Sequence, residues 1–131
     1  MRELQRVMCV EDDADIRIIL EFSLGQIGGY TVQLCASGAE ALAAAPVFLP
    51  QMVLLDVMMP AMSGPQTLKQ LRDLGCMQGV PVLFVTARAL PDEIEALVEY
   101  GATGIIVKPF DAVTLPQDIH RYWEQGLGTG I

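Results

Sequence analysis

The feature that most constrains this chain is a fivefold alternation of short apolar runs with amphipathic stretches. The runs are "RVMCV" (Arg6–Val10), "YTVQLCA" (Tyr30–Ala36), "MVLLDV" (Met52–Val57), "VPVLFVTA" (Val80–Ala87) and "GIIVKPF" (Gly104–Phe110). The first, third and fourth are nearly continuous, which is how strands covered on both faces of a parallel sheet read. The second alternates, with Thr31 and Gln33 polar, and belongs at a sheet edge. Strand followed by helix five times over predicts an α/β fold, a parallel sheet with helices on both faces joined by right-handed crossovers.

The intervening stretches carry helix signals. Ile16, Ile19, Leu20, Leu24 and Ile27 follow three-and-four spacing before Gly28 and Gly29. Ser37 is a plausible N-cap for a helix that ends before Pro46. Pro65 suits the first turn of a third helix, with Gly75 as its C-cap. Pro91, Asp92 and Glu93 open a fourth, where acids suit the helix dipole, and Gly101 closes it. Leu115, Ile119, Tyr122 and Trp123 share one face of a fifth that ends near Gly126. Residues 1–126 therefore read as one domain, and 127–131 as a short tail that frays.

At 131 residues such a chain can bury a core without staples. Its apolar runs are too short to span a bilayer, and "MRELQRVMCV" lacks the long apolar segment and cleavage site of a signal peptide. A net charge of -8 argues against a nucleic-acid backbone as partner. Cys9, Cys35 and Cys76 form no C-x-x-C; the first two sit in apolar runs and read as buried thiols, which fits a reducing, cytoplasmic setting. His120, the single histidine, falls on the last helix as a surface residue.

In an open parallel sheet, ligands bind beyond the carboxyl ends of the strands. Glu11, Asp12 and Asp13 follow the first strand, Asp56 ends the third, Thr86 the fourth, and Lys108 the fifth. Contact with solvent would explain any one of these. It explains the set poorly, because Asp56 ("LLDVMM") and Lys108 ("IIVKPF") are enclosed by apolar neighbours, and an unpaired buried charge is costly. Acids gathered near Asp56 repel one another, which raises a pKa or demands a cation. One lysine cannot neutralise three carboxylates. A hard divalent ion can, and carboxylates with a backbone carbonyl suit Mg²⁺. No set of His or Cys suits zinc.

These pieces, "VEDDADI", "DVMMPAMSG", "TA" and "KPF", with their spacing, resemble the receiver (CheY-like) domain of two-component response regulators over roughly Arg6 to Gln125. The resemblance implies a flavodoxin-like (βα)5 three-layer sandwich with strand order 2-1-3-4-5. It implies that Asp56 is the phosphoacceptor and that Thr86 and Lys108 hold the phosphoryl oxygens. Asp12 would bind Mg²⁺ directly, with Glu11 assisting, alongside Asp56 and the Met58 carbonyl. Asp13 would fall outside the pocket and cap the first helix, although as an acid it competes with Glu11 for the pocket role. The Lys108–Pro109 bond would be cis, as proline allows. The donor would be a histidine kinase or a phosphotransfer domain, docking on the first helix near Ile16, Arg17 and Leu20. Output would pass to a partner protein, an output domain or a second copy through the face of the fourth helix, fifth strand and fifth helix. Glu93, Glu95, Glu99, Tyr122 and Trp123 lie there, although Trp123 also reads as core. Such a domain catalyses only its own phosphorylation and dephosphorylation, and engages neither nucleic acid nor membrane.

Three positions depart from or tune that pattern. Ile105 stands where receivers usually carry an aromatic residue, so the Thr–aromatic relay is expected to be altered or weaker. Met58 and Arg88 flank the site and should set the hydrolysis rate. A thioether is a weak acceptor, so Met58 predicts slow self-dephosphorylation. The rival reading is a Mg²⁺-dependent phosphatase of the haloacid-dehalogenase type, which would want a second Asp where Met58 stands. A flavodoxin-type cofactor binder would want a phosphate loop where "EDDAD" stands.

Overall fold

The computed structural model describes residues 3–129. The five apolar runs form five parallel strands, β1 (Arg6–Val10), β2 (Thr31–Cys35), β3 (Met52–Asp56), β4 (Val82–Thr86) and β5 (Gly104–Val107). They lie in the order β2-β1-β3-β4-β5, the flavodoxin-like order that the resemblance implied, with β2 at one edge. Register places Val10 beside Leu55 and Asp56 beside Val85, so the carboxyl ends of β1, β3 and β4 are level.

Successive strand residues face opposite layers. Cys9, Leu54, Leu83 and Ile106 pack under helices α1 (Ala14–Leu20) and α5 (Leu115–Thr129), against Leu20, Leu115, Ile119 and Trp123. Val53, Leu55 and Phe84 pack on the other side under α2 (Gly38–Phe48), α3 (Gly64–Arg72) and α4 (Pro91–Glu99), against Ala41, Leu68, Leu71 and Leu97. Both layers are apolar, which is why β3 and β4 are buried along their whole length. Trp123 is core, at 5% exposure. Cys9 and Cys35 are free and buried, and burial pushes the Cys35 thiol up to about 11. His120 is exposed and pairs with Glu124. Among the described residues, no helix is long and apolar enough to cross a membrane.

Local structure departs from the sequence expectation in four places. Of the stripe expected on the first helix, Leu20 and Leu24 are buried but Ile19 and Ile27 are each 43% exposed. From Glu21 to Ile27 the helix is π-wound. A π turn takes more residues than an α turn, so a stripe drawn at 3.6 drifts off the core by Ile27; Ile19 lies ahead of it in the α-helical part. The wider turn carries Ser23 inward, where its hydroxyl donates to the Ala112 carbonyl at 2.6 Å. Helix α2 runs through Pro46 to Phe48. Proline there gives up the amide donor of one i to i−4 bond, and the helix nonetheless continues two residues beyond it. Helix α3 ends at a cap on Asp73, and Gly75 instead opens a 3₁₀ turn, Gly75–Met77. Helix α5 continues past Gly126 to Thr129; Gly130 and Ile131, at the end of the expected tail, lie outside the described residues.

Candidate functional site

The site is built from strand ends. Past β1, the Glu11 amide donates to the Cys35 carbonyl at 2.9 Å, extending the ladder by one residue. Glu11 is buried at 2% exposure, while Asp12 beside it is exposed. Asp56, the last residue of β3, is buried at 4%. Past β5, the Lys108 amide donates to the Thr86 carbonyl at 2.8 Å, extending the β4–β5 ladder by one residue. The Lys108–Pro109 bond is cis.

The loop after Asp56 folds back so tightly that α3 begins against the strand. The Gly64 amide donates to the Val57 carbonyl at 2.9 Å. A side chain at Gly64 would meet the Val57 Cα at 2.9 Å and press harder still on the Asp56 carbonyl oxygen. Only glycine permits that approach. Ser63 and Gln66 close the helix start as a reciprocal capping box.

The three elements converge. Lys108 Nζ lies 2.7 Å from Glu11 Oε1 and 3.3 Å from Asp56 Oδ1. One carboxylate oxygen each from Glu11, Asp12 and Asp56 lies within 4.8 Å of the other two. Asp13 is elsewhere: its carboxylate caps α1, accepting from the Asp15 amide at 2.9 Å and the Ile16 amide at 3.4 Å. Glu11, rather than Asp13, is therefore the pocket acid. Arg17, one turn into α1, reaches back over the acidic turn, and its Nη1 donates to the Glu11 and Asp12 carbonyls at 2.8 and 2.9 Å.

Charge is unbalanced here. Three carboxylates face one ammonium. Burial, then the hydrogen bond and charge of Glu11, push the Asp56 carboxyl from 3.8 up to about 7, against the opposing pull of Lys108. Burial acts to lower the Lys108 pKa, but the Glu11 hydrogen bond and the Asp56 and Glu11 charges outweigh it, so the ammonium form is held. This donor set fits a hard divalent cation: it is all oxygen, carries excess negative charge, and is open to water at Asp12.

Thr86 is buried at the end of β4. Its hydroxyl is engaged in a local turn, donating to the Arg88 carbonyl and accepting from the Arg88 amide, both at 3.1 Å. The Arg88 guanidinium pairs with Glu93 at 3.1 Å. The Met58 side chain, in the loop two residues beyond Asp56, is exposed at 78%. Ile105 is half-buried against the layer that contains Leu97 of α4, and its carbonyl accepts from the Tyr122 hydroxyl at 3.2 Å.

The model of the response regulator receiver domain family matches residues 7–120. The chain belongs to that family. Response regulator MprA of Mycobacterium ulcerans is 39% identical over 105 residues, covering 80% of this chain and 44% of that protein. The chain thus spans less than half the length of this curated relative. Chemotaxis protein CheY4 of Vibrio cholerae is 32% identical with a TM-score of 0.85, over 92% of this chain and 99% of that one. The receiver domain of sensor histidine kinase PA1611 from Pseudomonas aeruginosa is 25% identical with a TM-score of 0.79, over 96% and 99%. That structure has a magnesium ion coordinated in its active site cleft. None of these matches supports the haloacid-dehalogenase alternative.

Residue reading found Glu11, Asp12, Asp56, Thr86 and Lys108 as groups brought to one sheet edge. It gave Arg17 no part in the pocket and missed the close approach at Gly64. A signal existed for the start of α3, where "SGPQ" spells a Ser-x-x-Gln capping box. No pattern announces a side chain that binds backbone carbonyls.

Proposed function

We propose that this receiver accepts a phosphoryl group on Asp56 from a phosphohistidine of a histidine kinase or phosphotransfer domain, in a Mg²⁺-dependent reaction, and acts as a switch for a partner or output domain. The observation that carries the proposal is Lys108 held between Glu11 and Asp56 with Asp12 alongside.

Asp56 is the nucleophile. Transfer forms a bond between phosphorus and a carboxylate oxygen of Asp56 and breaks the phosphorus–nitrogen bond of the donor, whose imidazole leaves. Phosphoryl transfer has a loose transition state, so the chain's task is to position groups and offset charge. Lys108 is already poised at the nucleophile and would hold one phosphoryl oxygen. Thr86, on the neighbouring strand, would hold another once its hydroxyl leaves the Arg88 turn. Glu11, Asp12, Asp56 and the Met58 carbonyl would hold Mg²⁺, which when bound supplies positive charge beside the phosphoryl oxygens. The magnesium in the PA1611 receiver supports this assignment.

The product places about one to two extra negative charges at the pocket mouth. The Thr86–Arg88–Glu93 chain gives that charge a route to α4. The test is incubation with acetyl phosphate and Mg²⁺, followed by intact mass. One added phosphoryl group, absent with chelator and absent in Asp56→Asn, is expected. Repeated turnover of a phosphate ester would favour a phosphatase instead.

A further inference from the structure

We propose that Arg17 is a positioning residue for the divalent cation, locking the Glu11–Asp12 turn in the shape that gathers the ligating carboxylates. This rests on the receiver reading above and assigns a role to a residue outside the pocket.

The geometry is specific. A single nitrogen, Nη1, donates to two successive carbonyls, Glu11 at 2.8 Å and Asp12 at 2.9 Å. Helical side chains lean toward the N-terminus, so position 17 of a helix capped by Asp13 delivers its guanidinium back over the turn that precedes the cap. The same turn is tied twice more. The Asp13 amide donates to Glu11 Oε2 at 3.2 Å, and the Arg17 amide donates to the Asp13 carbonyl at 3.0 Å.

These ties differ in what they consume. Lys108 occupies carboxylate oxygens of Glu11 and Asp56, the atoms a cation must have. Arg17 occupies only carbonyl oxygens and leaves the carboxylates free. Asp12 most needs such a brace, because it is the exposed member of the acidic trio and like charge drives it toward water. Charged donors make the stronger hydrogen bonds to carbonyls, and a planar guanidinium presents two hydrogens from one nitrogen in fixed directions, which a lysine ammonium does not.

The experiment titrates the whole chain with Mg²⁺ by calorimetry, using wild type, Arg17→Gln, Arg17→Lys and Arg121→Gln. Arg121 pairs with Asp118 on α5 and controls for loss of one surface charge. Melts in chelator establish that each variant is folded. Arg17→Gln should bind Mg²⁺ about tenfold more weakly, as loss of a group that orients ligands does. Arg17→Lys should recover part of that loss, and Arg121→Gln should match wild type. With acetyl phosphate as donor and no kinase present, the Mg²⁺ concentration for half-maximal phosphorylation should rise by the same factor in Arg17→Gln. Its rate at saturating Mg²⁺ should stay within about twofold of wild type. Arg17→Gln with unaltered Mg²⁺ affinity overturns the inference alone, as does an equal loss in Arg121→Gln. A wild-type chain that takes up no Mg²⁺ overturns the receiver reading and this inference together.

Discussion

Replacing Asp56 by asparagine should stabilise the metal-free protein at pH 8. Folding confines Glu11, Asp12 and Asp56 around one lysine, and the Asp56 carboxyl is pushed from 3.8 to about 7. An unfolded chain ionises Asp56 near 3.8. Between that pH and about 7 the folded chain keeps a proton that the unfolded chain has lost. Stability therefore falls as pH rises through this interval and levels off above it. Three pH units at about 1.4 kcal/mol each set a ceiling of about 4 kcal/mol. The pocket is open to water at Asp12 and the charge is shared among three acids, so screening reduces this to about 1–2 kcal/mol. Asparagine keeps the shape of the side chain and leaves the 2.7 Å pair between Lys108 and Glu11 in place. For a chain of this size the gain amounts to about 3–8 °C in Tm. The assay is a set of thermal and urea melts of both proteins between pH 4 and 8 in chelator. The gap should be widest at pH 8 and close near pH 4, and Mg²⁺ should narrow it by stabilising wild type. A variant less stable than wild type at pH 8, or a gap that does not vary with pH, would refute the reasoning.

Other consequences follow from neighbouring residues. Gly64→Ala should cost about 2–3 kcal/mol in a urea melt, because its methyl would press on the Asp56 and Val57 backbone; a change within about 0.5 kcal/mol would mean the turn yields freely. Met58→Asn should shorten the lifetime of the phosphorylated form, since an amide can orient water where a thioether does so poorly, and an unchanged lifetime would count against that role. With a beryllofluoride phosphate mimic, NMR shifts should show a rearrangement smaller than the family pattern around Thr86 and Ile105, because Ile105 offers no ring to turn inward; a full family-like response would contradict it.

The fold was legible because parallel strands buried on both faces leave continuous apolar runs. All five strands formed where those runs stood, and the alternating second one took an edge. Asp56 and Lys108 were legible for the complementary reason: a charge inside an apolar run needs a partner, and Lys108 meets Asp56 at 3.3 Å and Glu11 at 2.7 Å. Thr86 was found at the right strand end, but its bond to the Arg88 backbone depends on torsion angles that no spacing encodes. Ile27 escapes a stripe drawn at 3.6 residues per turn because the helix is π-wound from Glu21, whereas Ile19, in the α-helical part ahead of it, is exposed although it fits the spacing. Pro46 reads as a stop because proline removes an amide donor and crowds the preceding turn, yet α2 carries it two residues before its end. Arg17 stayed hidden because its partners are main-chain carbonyls, which every residue has.

Borohydride trapping tests the central claim most directly. Reduction converts an aspartyl phosphate to homoserine, so peptide mass spectrometry after treatment with acetyl phosphate and Mg²⁺ reads the acceptor position itself. The account predicts homoserine at position 56 alone, lost when chelator is present and sharply reduced in Lys108→Ala. Homoserine at Asp12 or Asp13, or none at Asp56 in a folded, Mg²⁺-loaded chain, would contradict it.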